Sequence, residues 1–382
     1  STDNHSSEIY LHKTLKESTS LRYLSIENMT VLKDMINVLK QVKNHKRNKI
    51  NVILKINMNS RGKNTLEEDI KLLKKEGISL ETRFTVELSL EFICLDWKIL
   101  KELRLQALEL KVFKITDPSS LFPILKEFIL LKKFSLTISD QTTNDYQDLF
   151  QIVKGLAFPN QLEELMFNFD MGIAIKKYLA NVIKVDRESK KLLNTLNQAL
   201  TNIIFGPFAK QFHGLNNLKN FSLKISYLEE YNLTVELIIY LFAAMFKRIE
   251  QFSVRIPRVK KISQSAKFNL ISFLNLLKSP SLLSSLKLNI PVIDFANSMK
   301  APPLSNLTSL TLVSQRTYGP KGQFSILDPK NIPKLKFLRF VPIEESIVFE
   351  LLQPRYQHGL VRFALTDFEN ILTKESIIKI LK

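Results

Sequence analysis

Five basic residues in the C-terminal half of the chain recur between apolar residues of short, similar segments. They are Lys224, Arg255, Lys287, Arg339 and Arg362. Successive side chains of a β-strand point to opposite faces, so residues between buried apolar positions lie on the exposed face. Guanidinium and ammonium groups on such a face bind carboxylates or phosphates. The sequence therefore predicts a basic stripe that takes an acidic protein segment or a phosphate backbone.

Two further basic clusters occupy segments predicted to be loops. The first is KNHKRNK, residues 43–49, and the second is RIPRVKK, residues 255–261. The second cluster adds Arg258, Lys260 and Lys261 to the predicted partner-binding residues. Such clusters fit contacts with acidic segments or phosphates, or a nuclear localisation signal. The alternative interpretation for the stripe and for both loops is solvated surface, because charge runs usually are only that.

The distribution of histidine and cysteine does not favour enzymatic chemistry or metal binding. The histidines, at positions 5, 12, 45, 213 and 358, form no His-x-x-x-His pair. Cys94 stands in an apolar run with no basic neighbour to activate its thiol, which predicts a buried, inert side chain. The segment TYGPKG, residues 317–322, lacks the spacing of a phosphate-binding P-loop. The sequence thus predicts no catalytic residue, no cofactor, no metal site and no small-molecule substrate.

The basic residues require a scaffold that places many similar strands side by side. The segment LKNFSLKI, residues 218–225, has apolar residues at its first, fourth, sixth and eighth positions. The same pattern predicts strands in segments that begin at Leu21, Leu131, Leu162, Ile249, Leu283, Leu307, Leu335 and Leu360. Apolar patterning predicts further strands within residues 50–59, 84–97 and 105–110. Helical spacing of apolar residues predicts helices between strands, among them residues 65–77, 235–246 and 265–277.

These repeated segments resemble the leucine-rich-repeat family in an irregular form with long repeats. From Leu131 onward, successive first positions are separated by 31, 31, 34, 24, 28 and 25 residues, apart from a gap of 56 residues between Leu162 and Leu218. These intervals straddle the roughly 20–29 residues typical of that family. The resemblance implies an α/β leucine-rich-repeat solenoid, with a parallel β-sheet on the concave side and helices on the convex side. The family usually places Asn or Cys three residues after the third apolar position, where this chain has Met29, Ser139, Asp170, Ser226, Pro257, Pro291 and Gln315. The absence of Asn and Cys at these positions predicts a solenoid with loose, uneven curvature.

The predicted organisation is one leucine-rich-repeat solenoid over residues 15–382, preceded by a polar tail at residues 1–14. Within it, residues 171–205 are predicted to be a degenerate repeat or an inserted helical segment, because the strand pattern disappears there. Residues 367–382 are predicted to form a capping helix over the open end of the stack.

Composition restricts the compartment and the class of protein. The chain has 382 residues, 45% of them hydrophobic, and a formal net charge of +18. That apolar content is sufficient for a continuous core. No stretch approaches the roughly 20 apolar residues of a membrane span, and the polar N-terminus lacks the apolar segment of a signal peptide. The sequence therefore predicts an intracellular protein, cytoplasmic or cytoskeletal, with the nucleus as the alternative.

The favoured function is a non-catalytic protein-binding scaffold, one subunit of a larger multiprotein assembly. It is expected to use its concave strands and basic loops to bind proteins with acidic surfaces. The alternative is a nucleic-acid-associated scaffold of a ribonucleoprotein, which binds a phosphate backbone through the basic C-terminal half. Aromatic residues that face outward support that alternative, because bases stack on them. Only Phe337 and Tyr23 are predicted to face outward, since most phenylalanines occupy inward positions.

Overall fold

The structure is a computed structural model that describes part of the chain in two compact units. The described residues are 23–26, 40, 51–57, 63–77, 84–91, 100, 103–112, 122–139, 158–170, 214–226, 228–231, 233–256, 259–262, 268–290, 292–293, 301–313, 316–317, 328, 330–340 and 359–365. Unit 1 comprises residues 1–137 with 155–162, and unit 2 comprises residues 138–154 with 163–382. The predicted tail, the cluster at 43–49, the segment 171–205 and the capping helix lie outside the described residues. A single solenoid over residues 15–382 stays a prediction.

Unit 1 contains a sheet whose strands follow one another in chain order. Its elements are β1 Tyr23–Ile26, β2 Asn51–Asn57, α1 Lys63–Lys75, β3 Phe84–Glu91, β4 Leu105–Val112, a 3-10 helix Phe122–Glu127 and the first five residues of β5 Lys133–Ser139. The pairs from β1 to β4 are parallel. Helix α1 ends where Gly77 adopts a φ of 64° and donates its N–H to the carbonyl of Lys74. A glycine in this left-handed conformation commonly ends a helix, because it has no Cβ to clash with the backbone.

Unit 2 continues the same plan with strands, short helices and turns. Its elements are β6 Glu164–Asp170, β7 Asn220–Ile225, β8 Leu228–Tyr231, α2 Leu233–Met245, β9 Gln251–Arg255, β10 Val259–Ile262, α3 Leu270–Leu276, a 3-10 helix Pro280–Leu282, β11 Ser285–Asn289, β12 Val292–Ile293, β13 Ser309–Val313, β14 Arg316–Thr317, β15 Phe337–Phe340 and β16 Arg362–Leu365. Its main sheet has the order β6-β7-β9-β11-β13-β15-β16, with every neighbouring pair parallel. The predicted parallel sheet is thereby confirmed in this unit.

The repeated apolar pattern predicts the strands of both units closely. In all nine segments that match it, the strand begins two residues after the first apolar position, as β7 does after Leu218. The predicted helix at residues 265–277 is shorter, because Asn269 caps α3 by accepting a hydrogen bond from the N–H of Ser272. Strand β6 pairs directly with β7, so the 49-residue connection from Met171 to Lys219 adds no strand between them.

One loop prediction is wrong. Residues 255–261 were expected to be a basic loop, but Arg255 ends β9 and Val259 begins β10. Strand β10 pairs in parallel with β8, and a second small sheet forms between β12 and β14. In these short strands, the backbone groups that follow the main strands form hydrogen bonds with the neighbouring segment. In an unpaired loop, the same groups would form hydrogen bonds with water.

The core of unit 2 is built around aromatic side chains on the buried side of the sheet. Phe221 of β7 lies with its ring centroid 4.6 Å from Phe242 and 4.8 Å from Phe246, both on the α2 side. It also lies 5.4 Å from Phe252 of the next strand and 6.3 Å from Phe167 of the previous one. All five rings are buried, as predicted for Phe167, Phe221 and Phe252. The opposite side of the sheet carries mainly polar residues.

In unit 2, each strand of the main sheet together with the segment that leads to the next strand is called a coil. Neighbouring coils are joined at the strand starts by backbone carbonyls that each accept two hydrogen bonds. The carbonyl of Lys219 accepts from the N–H groups of Glu250 and Gln251, at 2.8 and 3.0 Å. The same arrangement recurs at the carbonyls of Glu163, Glu250, Ser284, Thr308 and Lys336. Side-chain hydroxyls reinforce two of these positions: Ser284 Oγ donates to the Glu250 carbonyl and Thr308 Oγ1 to that of Ser284. These bonds hold consecutive strands in register although the usual Asn or Cys is missing.

Candidate partner-binding face

The side of the unit 2 sheet away from the core is called the open face, and its residues fall into three rows set by strand register. Strand β7 shows the alternation that produces it, with Phe221, Leu223 and Ile225 buried and the residues between them partly exposed. The first row contains Glu164, Asn220, Gln251, Ser285, Ser309, Phe337 and Arg362. The second contains Met166, Ser222, Ser253, Lys287, Thr311, Arg339 and Ala364. The third contains Asn168, Lys224, Arg255, Asn289 and Val313.

The five predicted stripe residues all lie on the open face, but not in one straight row. Lys224 and Arg255 are directly opposite each other in the third row. Lys287 and Arg339 occupy the second row with Thr311 between them. Arg362 stands in the first row, opposite Phe337. The cations thus form a diagonal, called the basic track, which is roughly 27 Å long for strands about 4.8 Å apart and a rise of about 3.3 Å per residue.

The basic track is electrostatically one-sided. From β7 to β16 the described open-face residues include no Asp or Glu. An acidic residue, Glu164, stands in the first row on β6. Side chains of Lys224 and Arg255 start from adjacent strands in register, where like charges repel. A bound anion would relieve this repulsion, whereas water and salt only screen it.

A shallow depression of about 500 Å³ lies at the end of the basic track. It is lined by Ser309, Leu310, Thr311, Phe337, Leu338, Arg339, Arg362 and Ala364. The Phe337 side chain is 45% exposed, as predicted from its position in the repeat. Arg362 of β16 lies opposite Phe337 of β15. Arg339 comes two residues after Phe337 and so lies on the same face of β15. This surface, called the Phe337 depression, offers an apolar ring and two guanidinium groups together.

The remaining predicted site residues are not placed on the open face. Lys260 and Lys261 belong to β10, whose partner is β8, with Lys261 in register with Glu230. Arg258, Cys94 and the histidines lie outside the described residues. Among the residues that are described, no cluster of three or more His, Cys, Asp or Glu is suited to hold a metal ion. The helices described in the structure include none with the length and apolar character to cross a membrane.

Comparisons with known proteins add little to this description. No family model matches the sequence, and no curated protein matches it. Among solved structures, the chain is similar to a leucine-rich-repeat protein of Leptospira interrogans, with 14% sequence identity and a TM-score of 0.23. The match covers 97% of this chain and 96% of that chain. At this level the similarity carries no argument about family or function.

Proposed function

We propose that the chain is a non-catalytic protein-binding scaffold of the leucine-rich-repeat type and a subunit of a larger multiprotein assembly. Its open face binds an acidic, extended segment of a partner protein. The observation that carries the proposal is the basic track. Lys224, Arg255, Lys287, Arg339 and Arg362 share the open face, and the described open-face residues of strands β7 to β16 include no Asp or Glu.

The dimensions of the basic track suit an extended peptide. A chain of about eight extended residues spans roughly 27 Å, because each residue adds about 3.3–3.6 Å. Side chains on one side of such a peptide recur about every 7 Å. Steps between successive cations of the track are roughly 5–10 Å by the same strand geometry. Four acidic residues at alternate positions would therefore each meet a cation.

Short side chains flank the basic track on one side. Ser222, Ser253 and Ser285 are half-buried on the open face, so a bound segment can approach the sheet closely. Their hydroxyl groups donate and accept hydrogen bonds. The described face from β7 to β16 presents no carboxylate or imidazole to move a proton, which favours binding over acid-base catalysis.

A charge-reversal variant tests the proposal. Lys224→Glu, Arg255→Glu and Lys287→Glu together are expected to lower the yield of partner captured from the native cell at least about tenfold, because the attraction becomes repulsion. The melting temperature is expected to stay nearly unchanged, since these side chains lie outside the core. Capture is measured by affinity purification and quantitative mass spectrometry.

The matched control carries the same change in net charge at exposed lysines that are not part of the open face. It combines Lys75→Glu, Lys126→Glu and Lys330→Glu. This variant is expected to retain the partner. If the track variant keeps every partner, or if both variants lose the same partners equally, the open face is not the binding site.

The nucleic-acid alternative is favoured by one observation, the exposed ring of Phe337 beside Arg339 and Arg362. Single strands bind by stacking bases on aromatic rings while cations contact the phosphates. A labelled 15-nucleotide oligothymidine, titrated from low to high salt, tests it. Five phosphate contacts predict a log-log slope of about −3.5, at about −0.7 per contact. A slope near zero rejects the nucleic-acid alternative.

A further inference from the structure

A second basic concavity lies in unit 2 at the turns that precede the strands. Its volume is about 420 Å³, and its described lining is Asn216, Asn217, Lys247, Arg248, Lys278 and Ser279. Sequence reasoning did not single out these residues. The available signal was basic residues placed directly after two helical segments.

Buried neighbours fix where these cations point. Lys247 and Arg248 are exposed between Phe246 and Ile249, whose side chains are both buried. In the next coil, exposed Lys278 follows Leu277, which is buried and is the C-cap residue of α3. Since these apolar neighbours are held in the core, the backbone that carries the cations is held where they line the concavity.

The cations of the concavity lack a counter-charge among the described residues. No described carboxylate forms an ion pair with Lys247, Arg248 or Lys278. A later turn of the same kind differs, because Lys334 Nζ donates to Asn306 Oδ1 at 2.7 Å and Asn306 Nδ2 donates to the Ser281 carbonyl. At that turn the ammonium group of Lys334 and the amide of Asn306 form hydrogen bonds with other residues of the protein.

Neutralisation of helix dipoles is the simplest alternative role for these cations, and it accounts for only part of their charge. Helices α2 and α3 both end beside the concavity and have no basic residue in their last turns. A helix C-terminus corresponds to about −0.5 of an elementary charge. Two of them offset about one of the three positive charges. Roughly two positive charges remain uncompensated.

We propose that this concavity binds a polyphosphate chain, free or attached to a small molecule. Arg248 supplies a planar pair of donors that fits phosphate oxygens, and the two lysines add charge. Asn216 and Ser279 also line the concavity and supply neutral donors. The volume lies within the range of small-molecule sites, about 300–1,000 Å³. Two or three linked phosphates match the number and the sign of the charges.

Isothermal titration calorimetry of the full chain with inorganic tripolyphosphate at low salt tests this proposal. The variant Lys247→Gln, Arg248→Gln, Lys278→Gln is expected to bind at least about tenfold more weakly, because all three charges of the site are removed. The control Lys75→Gln, Lys126→Gln, Lys330→Gln is expected to bind as the wild type does. Titration with ATP distinguishes the sources: equal affinity indicates recognition of the phosphate chain alone, and tighter binding indicates an attached group.

The outcome is independent of the proposed protein-binding function. The open-face variant Lys224→Glu, Arg255→Glu, Lys287→Glu is expected to lose its protein partner and to keep more tripolyphosphate binding than the concavity variant. The proposal is overturned if the wild type does not bind tripolyphosphate. It is equally overturned if the concavity variant and its control bind alike.

Discussion

Replacing Phe221 with alanine is expected to lower the free energy of unfolding of unit 2 by about 3–5 kcal/mol. The ring is fully buried and contacts aromatic rings of both neighbouring strands and of the α2 region. Truncation removes the transfer free energy of the ring and leaves a cavity that these four partners cannot close by small movements. Each favourable edge or tilted ring pair adds about 0.5–1.5 kcal/mol beyond burial.

Because Phe221 lies between two neighbouring strands, the loss of stability in Phe221→Ala is expected to affect both of them. Coils of a repeat protein contact mainly their neighbours, so stability is a sum of coil and interface contributions. Phe221 belongs to two such interfaces, with Phe167 on one side and Phe252 on the other. The substitution is therefore expected to weaken the coupling on both sides of β7.

Urea denaturation followed by circular dichroism measures the effect, with a lower midpoint expected for Phe221→Ala. Ser222→Ala is the matched control, because it changes the next residue on the open face. Its effect is expected to stay within about 0.5 kcal/mol. Phe221→Leu is expected to fall between the two, since it restores part of the volume. An equal loss of stability in Ser222→Ala would show that the aromatic core is not the source.

The double substitution Phe337→Ala, Arg339→Ala is expected to weaken binding of the protein partner more than about 100-fold, or about 3 kcal/mol or more. This prediction rests on the proposed protein-binding function. Aromatic and arginine side chains in concave surfaces dominate interface energetics, each costing about 2 kcal/mol or more on truncation. Both residues line the Phe337 depression, where a partner side chain loses water on binding.

Surface plasmon resonance with the partner identified by affinity purification measures this loss, which is expected mainly as faster dissociation. The matched control is Val361→Ala with Lys336→Ala, which removes one exposed apolar and one exposed basic side chain from turns beside the same strands. This control is expected to change the affinity less than about threefold. Equal losses in both double variants would mean that the depression has no special role.

The strands were predictable because their signal is local. Alternation within β7 or β11 follows from the two-residue period of extended backbone. The inward phenylalanines at positions 134, 167, 221 and 252 follow from the same period. Helix α3 and the short strands β8 and β10 were less predictable, since their limits depend on a cap at Asn269 and on pairing between separate coils.

The candidate site divides in the same way. The order of residues along the chain predicts which side chains face the core and which face outward, including Phe337 and the five cations of the basic track, because that choice depends on neighbours in the chain. Register between the strands, in contrast, places Lys224 opposite Arg255 and Arg362 opposite Phe337. It also brings Lys247 and Arg248 to Lys278. The physical reason is that these contacts depend on register between coils 24 to 56 residues apart along the chain, which the carbonyl bonds at the strand starts set and no local pattern encodes.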